Sequence, residues 1–274
     1  MIPAFLLALR EGLEAALIVS IVLGALGKIK REDLKPTVWV GTISAIIVSI
    51  AAAVILYLVG ISFEGAAEQI FEGTTMLLAA AVLTWMIFWM RSQAKSMSAH
   101  LADETRHAAL QRGRQAVFAV AFLAVVREGI ELALFLVAAS FASGAQATII
   151  GSLLGLVVII ALAWAFFSRL IKLDLGRFFR YTSIILVLFA AGLVAHGVHE
   201  LNEAGWIPVI IEHVWNMNPL LDENGFLGRI LTTLFGYNGN PSLTELIAYV
   251  GYYVVLFFSL RRHAVPQTQT AATD

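Results

Sequence analysis

The chain contains no cysteine, and only 14% of its 274 residues are charged. Without cysteine there can be no disulfide framework and no thiolate metal site, and the soft ligands that Cu(I) favours are also missing. A soluble domain has about 25% charged residues, and no long polar stretch occurs here. With 59% hydrophobic residues and a mean hydropathy of +0.84, the composition predicts an integral membrane protein.

The N-terminus has little positive charge. No basic region precedes the first apolar run, and charged residues interrupt that run, so the pattern does not predict a cleavable signal peptide. The formal net charge of −1 is uninformative about partners, and we expect no nucleic-acid partner. The lipid bilayer is the environment that the composition predicts.

Seven segments are long and apolar enough to form spanning helices, which need about 20 residues each. The sequence therefore predicts an all-α polytopic membrane protein, organised as one transmembrane domain over residues 1–262. A structured loop with one or two short surface helices is expected over 203–240, and a disordered polar tail over 263–274. The predicted spans are about 2–27, 37–60, 67–90, 115–142, 146–168, 179–201 and 242–260.

Lys and Arg residues in the loops predict the orientation, because they accumulate on the cytoplasmic side. With seven spans, the basic residues fall on one side, and Arg229 is the only Arg on the other. The acidic residues of that other side are Glu64, Glu68, Glu72, Glu200, Glu203, Glu212, Asp222 and Glu223. We therefore expect a periplasmic N-terminus and a cytoplasmic C-terminus. The basic residues are Lys28, Lys30, Arg31, Lys35, Arg91, Lys95, Arg106, Arg112, Arg114, Arg169, Lys172, Arg177, Arg180, Arg261 and Arg262.

Two apolar runs carry the same charged motif, Arg10-Glu11-Gly12-Leu13-Glu14 and Arg127-Glu128-Gly129-Ile130-Glu131. A charge at a bilayer centre costs about 2.5–3.5 kcal/mol on insertion scales and usually marks a functional site. The motif recurs three predicted helices later, in helix 4, and because three is odd, helices 1 and 4 run in opposite directions. We therefore expect an inverted repeat of residues 1–91 and 114–203, with the seventh helix outside it and a site near the midplane.

The four motif carboxylates are candidate metal ligands. Residues three apart share a helix face, so Glu11 and Glu14 point the same way, as do Glu128 and Glu131. Facing helices would bring the four together, and oxygen ligands suit hard or borderline cations.

The other motif residues are predicted to support this site. Arg10 and Arg127 cannot be ligands, but at i,i+4 they can hold Glu14 and Glu131. Gly12 and Gly129 would allow close helix approach or backbone access to an ion.

The paired motifs resemble those of the oxidase-dependent iron transporter family, in particular the bacterial EfeU-type iron permeases. The resemblance covers nearly the whole chain and implies a permease, not an enzyme, that imports iron with high affinity across the bacterial inner membrane. It implies Fe²⁺ or Fe³⁺ as substrate, no organic cofactor, the four motif Glu as iron ligands, and a periplasmic cupredoxin-like protein and a haem peroxidase as partners. Further matching stretches are Leu9–Ser20, Phe71–Gly73, Leu83–Arg91, Glu203–Gly205 and Phe235–Tyr237.

Two weaker groups could collect cations at the outer face. The first consists of acids four residues apart at the predicted start of helix 3, and the second lies at the end of helix 6; solvated helix ends would also explain both. The two histidines of the second group have no counterpart in the family pattern. The residues are Glu64, Glu68 and Glu72, and His196, His199, Glu200 and Glu203.

Other functions remain open at this point. The motifs could be salt bridges that only help to pack the bundle, or they could serve another divalent cation such as Mn²⁺, or a proton pathway. A membrane di-iron carboxylate enzyme is a further alternative, although such bundles usually add Glu-x-x-His pairs. Trp85, Trp89, Trp164 and Trp206 are predicted to be interfacial anchors.

Overall fold

The computed structural model describes residues 1–167, 174–223 and 225–264, and within these ranges the chain contains helices and no strand. A 3₁₀ turn, Glu32–Leu34, precedes the second helix, and a π-helical turn, Ala108–Arg112, follows the third. Arg169, Lys172 and most of the predicted tail lie outside the described residues. The helices are α1 Ile2–Lys28, α2 Lys35–Ile61, α3 Ala66–His107, α4 Arg114–Ser143, α5 Ala145–Phe167, α6 Leu175–Glu203, α7 Phe226–Phe235 and α8 Leu243–Ala264.

Four helices form the centre of the bundle. Side chains such as Leu7, Leu83, Phe135 and Phe189, from α1, α3, α4 and α6 respectively, pack into one buried cluster. The outward faces of α2, α5 and α8 instead expose many large apolar side chains. This distribution is expected of a bundle surrounded by lipid, because lipid tails solvate apolar side chains as well as a protein core does.

Among the residues that the structure describes, five helices are long and apolar enough to cross a membrane. α1 and α4 have comparable lengths, but each carries one Arg and two Glu within its apolar run, which sets them apart from the other five. All seven predicted spans are therefore helical, and the apolar criterion holds for five of them. These are Glu32–Ile61, Ala66–Trp89, Ala145–Ala165, Gly176–Glu203 and Leu243–Arg261.

The predicted third span, about 67–90, agrees with the apolar stretch Ala66–Trp89, but the helix does not end there, and the loop expected after residue 90 is wrong. α3 continues to His107 for a total of 42 residues, and the π-helical turn extends it to Arg112. Between Gly73 and Gly113 the chain has neither glycine nor proline, and the segment after Trp89 is rich in Ala, Lys, Arg, Glu, Met and Leu, which favour helix. Polarity alone therefore does not mark the end of this helix.

Close contacts of glycines occur in matching pairs in the two halves of the chain. A Cβ on Gly12 would lie 3.1 Å from the Ile159 side chain of α5, and a Cβ on Gly129 would clash with Ser49 of α2. Gly41 of α2 contacts the backbone of Phe118, and Gly151 of α5 contacts that of Met1. Thus α1 packs on α5 in the same way as α4 packs on α2. In both pairs the motif glycine is a contact point, and a second contact lies 11 residues earlier in the chain.

The two halves meet where α3 crosses α6. A Cβ on Gly73 would lie 2.7 Å from the Gly197 carbonyl oxygen, and a Cβ on Gly197 would lie 2.9 Å from the Gly73 carbonyl oxygen. The two backbones are therefore in direct contact, and neither position has room for a side chain.

Gly73→Ala is accordingly expected to destabilise the bundle by about 1–3 kcal/mol, the usual cost of overpacking a close-packed interior. Thermal unfolding in detergent measures this change. Gly251→Ala is the matched control, because this α8 glycine has nothing within 4 Å of a built Cβ. A Gly73→Ala protein as stable as the Gly251→Ala protein would contradict the prediction.

The segment between α6 and α8 is an ordered loop with one short helix, α7, among its described residues. Backbone hydrogen bonds from Val214 to Pro241 (3.1 Å) and from Leu243 to Ile211 (3.0 Å) fasten the loop to the start of α8. Gly236 ends α7 in the left-handed conformation (φ 67°) and lies against Gly192 of α6. The loop therefore covers the end of the bundle at which α6 finishes.

Candidate metal site

Three of the four motif carboxylates converge. α1 and α4 place one oxygen each of Glu11, Glu128 and Glu131 within 4.8 Å of one another. Glu11 is 1% exposed, and neither of its oxygens has a hydrogen-bond partner; Oε2 of Glu131 is likewise buried and without one. Unsatisfied buried carboxylate oxygens are costly unless a charge or donor compensates them. A cation bound among the three would supply that compensation.

The fourth carboxylate, Glu14, has a different role in this conformation. Its Oε1 accepts a hydrogen bond from Arg10 Nε (3.1 Å), and Arg10 Nε also lies 4.0 Å from Oε1 of Glu11. In the second motif Arg127 Nε donates to Oε1 of Glu131 (3.0 Å). Both i,i+4 ion pairs expected from the spacing are present, but only the second one involves a member of the converging set.

The two arginines differ in burial. The Arg10 side chain is 0% exposed, whereas that of Arg127 is 41% exposed. The Arg127 guanidinium lies over the ring of Trp89, 4.7 Å from its centroid, and Trp85 stacks on Trp89 in turn. Interfacial anchoring is therefore an incomplete description of Trp89, because its ring is in direct contact with a motif residue.

The acidic residues at the start of α3 do not share one helix face. Gly65 adopts a positive φ of 60°, which ends the preceding turn, and α3 begins at Ala66. Glu64 therefore lies before the helix, and the prediction that placed it on the helix was wrong. Glu68 and Glu72 do lie on α3, one turn apart, and both are partly buried.

Two of the candidate residues at the end of α6, His199 and Glu203, belong to a chain of polar contacts that also includes Glu245 and Gln69, here called the relay. His199 Nδ1 lies 2.9 Å from Oε1 of Glu245 on α8, and its Nε2 lies 3.2 Å from Oε1 of Glu203. Gln69 of α3 donates to Oε2 of Glu203 (2.9 Å). In this conformation the relay ties α3, α6 and α8 together and occupies both nitrogens of His199.

The other two members of this group point elsewhere. His196 Nδ1 lies 3.0 Å from the carbonyl oxygen of Gly192, one turn earlier in its own helix. Glu200 lies where α6 meets α3, its Cβ 3.2 Å from a Cβ built on Gly73. Glu200 and Glu72 therefore come from neighbouring positions on crossing helices, and their role in collecting cations stays a prediction.

His199→Ala is expected to lower stability by about 1.5–3 kcal/mol, the usual contribution of a hydrogen bond to a charged group. Glu245 is only 4% exposed, and the Ser242 N–H and the Asn238 amide, which also donate to it, would remain. Thermal unfolding in detergent checks the size of the effect. His213→Ala, an exposed loop histidine, is the control and should leave the unfolding temperature unchanged. Equal unfolding temperatures for the two variants would show that the relay contributes nothing.

The sequence prediction omitted Glu245 and gave Trp89 only the role of an interfacial anchor. Glu245 follows Leu243 at the start of an apolar helix, and its carboxylate is 5% exposed yet paired with His199. An acid in the first turn of a helix is ordinary, so nothing local distinguishes it. Trp89 lies 38 residues before Arg127, and only the packing of α3 on α4 brings the two together.

Comparison with known proteins identifies the type of protein to which this site belongs. The chain matches the Iron permease FTR1 family over residues 1–263. It is 35% identical over 264 residues to the ferrous iron permease EfeU of Yersinia pestis, covering 94% of this chain and 93% of that protein. It is 32% identical over 257 residues to the ferrous iron permease EfeU of Escherichia coli O6:K15:H31, covering 93% of each.

No solved structure matches the chain significantly. The family and these relatives are permeases, which makes the chain a transport protein and not an enzyme. The resemblance inferred from the two motifs is thereby confirmed over almost the full length. The chain belongs to the iron permease FTR1 family.

Proposed function

We propose that this protein imports iron with high affinity across the bacterial inner membrane, and that the ion passes through the carboxylates of α1 and α4. The observation that carries the proposal is the convergence of Glu11, Glu128 and Glu131, with buried oxygens of Glu11 and Glu131 that lack hydrogen-bond partners. Hard oxygen donors suit iron in either oxidation state. The relatives are named ferrous iron permeases, which makes Fe²⁺ the first substrate to test.

α1 and α4 would span the membrane together with the five more apolar helices. Their charges do not oppose this, because the charged side chains face the bundle interior and pair with one another. Seven spans place the basic loops on one side, which makes the N-terminus periplasmic and the C-terminus cytoplasmic.

The seven spans would contain an inverted repeat of α1–α3 and α4–α6. The matched contacts support it: Gly12 and Gly129 are 117 residues apart, as are Met1 and Phe118, and their partners on α5 and α2 are 110 residues apart in both cases. The reciprocal crossing of α3 and α6 at Gly73 and Gly197 lies where a two-fold axis would pass. A carboxylate site at the interface of such halves is suited to alternating access.

Charge balance suits a divalent cation. Four ionised glutamates and two arginines leave a net charge of −2 in the motifs. We propose that Glu11, Glu128 and Glu131 bind the ion directly. Glu14, which is hydrogen-bonded to Arg10 in this conformation, would become a fourth ligand after leaving Arg10. Glu68, Glu72 and Glu200 would collect the ion at the periplasmic face, together with the other acidic and histidine residues of that end, Glu64, His196, His199 and Glu203.

The partners in this proposal are the periplasmic cupredoxin-like protein and the haem peroxidase that the resemblance implies. The loop between α6 and α8 would face them on the periplasmic side. Co-purification of the three proteins from membranes solubilised in mild detergent would test the association.

Transport by proteoliposomes tests the function itself. Wild-type protein and the Glu11→Gln/Glu128→Gln double variant would be supplied with Fe²⁺ and Fe³⁺ separately, with Mn²⁺ and Zn²⁺ as competitors. Iron uptake by the wild type and none by the double variant is the expected result. Equal uptake by both proteins would show that the motifs are structural salt bridges. Stronger transport of Mn²⁺ than of iron would show that the substrate is a different cation.

A further inference from the structure

The end of α3 beyond its apolar span carries a row of metal-binding side chain types. The apolar span ends at Trp89, and the helix continues to His107. His100, Asp103, Glu104 and His107 follow i, i+3, i+4 and i+7 spacing and therefore share one helix face. Two imidazoles and two carboxylates thus lie along about two turns of a solvated helix.

These side chains form two adjacent pairs. His100 Nδ1 lies 4.0 Å from Oε2 of Glu104, and His107 Nδ1 lies 3.5 Å from Oδ2 of Asp103. All four side chains are more than half exposed, at 83% for His100, 56% for Glu104, 60% for His107 and 65% for Asp103. Exposed side chains can turn toward an ion without disturbing any packing. The two members of each pair could therefore bind one ion together.

The ligand set suits a ferrous ion. Each pair offers one imidazole nitrogen and one carboxylate oxygen, and both are ligand types that iron accepts in proteins. Unlike the buried carboxylates of α1 and α4, this row is open to water, which would complete the coordination sphere. Binding here would therefore be weak and rapidly reversible.

Two cavities connect this helix face with the motif helices. A cavity of about 760 Å³ between α1 and α3 is lined by Asp103, Lys28 and Ile21, and Ile21 lies two turns beyond Glu14 on α1. A second cavity of about 540 Å³ is lined by Glu104, His107 and Ala124, and Ala124 lies one turn before Glu128 on α4. Each cavity thus borders a motif helix, two turns from Glu14 in the first case and one turn from Glu128 in the second.

Positive charges border both cavities. Lys28 and Arg106 line the first, and Arg112 lines the second. Nearby positive charge lowers the affinity of a site for a cation. This arrangement suits an ion that must leave rather than one that is stored.

We propose that His100, Asp103, Glu104 and His107 form a transient Fe²⁺-binding site on the release side of the permease, an inference that rests on the proposed function. An ion leaving Glu128 or Glu14 passes along one of the two cavities, is bound by a histidine–carboxylate pair on α3, and then enters the cytoplasm. The site is on the side opposite to the acidic residues at the start of α3.

Anaerobic equilibrium dialysis of Fe²⁺ against the full-length protein in detergent tests this site. The protein is purified with a tag that contains no histidine. Compared with wild type at the same Fe²⁺ concentration, His100→Gln/His107→Gln is expected to bind one Fe²⁺ per chain fewer, Glu11→Gln/Glu128→Gln also one fewer, and the combined variant two fewer. His213→Gln, which changes an exposed histidine of the opposite loop, should bind as the wild type does.

The two hypotheses fail separately in this design. If His100→Gln/His107→Gln binds as much Fe²⁺ as the wild type, or if the wild type binds none, the release site is overturned. Binding equal to that of the wild type in Glu11→Gln/Glu128→Gln, with one ion lost in the histidine variant, overturns the proposed permeation site and leaves the release site standing. Circular dichroism of each variant confirms that the helices are intact, so that a lost ion is not a lost fold.

Discussion

Glu128→Gln is expected to lower the initial rate of Fe²⁺ uptake into proteoliposomes by more than about 100-fold. It removes one of three converging carboxylates, and even outer-shell partners of metal ligands are worth about 10–100-fold in metal affinity. The amide preserves the shape of the side chain, so the loss arises from charge and ligand strength. Glu11→Gln should have the same effect, because Glu11 belongs to the same converging set.

Glu14 provides an internal comparison for this prediction. It lies outside the converging set and is held by Arg10, so Glu14→Gln is expected to reduce uptake by only about 10-fold, the lower end of the range for supporting groups. Glu32→Gln is the control, since Glu32 is exposed and pairs with Lys35 in a short turn. Wild-type uptake by Glu128→Gln, or a larger loss in Glu14→Gln than in Glu128→Gln, would contradict the assignment of ligands.

Arg10→Leu is expected to destabilise the folded protein by about 3–5 kcal/mol, the usual cost of removing one partner of a buried ion pair. Arg10 is fully buried and contacts both Glu14 and Glu11. Removing it leaves two carboxylates in a low-dielectric environment without their nearest positive charge. The yield of monodisperse protein and its unfolding temperature in detergent measure the effect.

Two further variants separate charge imbalance from lost packing. Arg127→Leu should be milder, because the Arg127 side chain is 41% exposed whereas that of Arg10 is fully buried. Arg10→Leu/Glu14→Leu should recover much of the stability, since removing both partners leaves no unpaired charge behind. If the double variant were as unstable as Arg10→Leu, packing rather than charge would account for the loss.

Local features of the chain were predictable because they depend on neighbours in sequence. Helical spacing alone placed Arg10 near Glu14 and Arg127 near Glu131, and both pairs are hydrogen-bonded. Apolar runs of sufficient length predicted all seven long helices, because a membrane-spanning chain must satisfy its backbone groups internally. Composition and the two motifs were sufficient to suggest the family that the comparisons confirm.

Local polarity was a poor guide to where helices end. The chain after Trp89 is polar and continues as helix, since helix formers and the absence of glycine and proline decide its conformation. Before α3 the opposite occurs, because the positive φ of Gly65 excludes Glu64 from the helix that its spacing suggested. Polarity reports contact with water, whereas backbone geometry decides helix boundaries.

The sequence by itself determined the class of the protein, its helices, and the chemical character of a carboxylate site in two related motifs. Only the tertiary structure decided which carboxylates meet, since Glu11, Glu128 and Glu131 converge through the packing of α1 on α4 while Glu14 remains with Arg10. It also decided that Trp89 lies under Arg127 and that Glu245 holds His199. The physical reason is that such contacts join residues far apart in the chain, and their geometry depends on how closely whole helices pack rather than on any local preference.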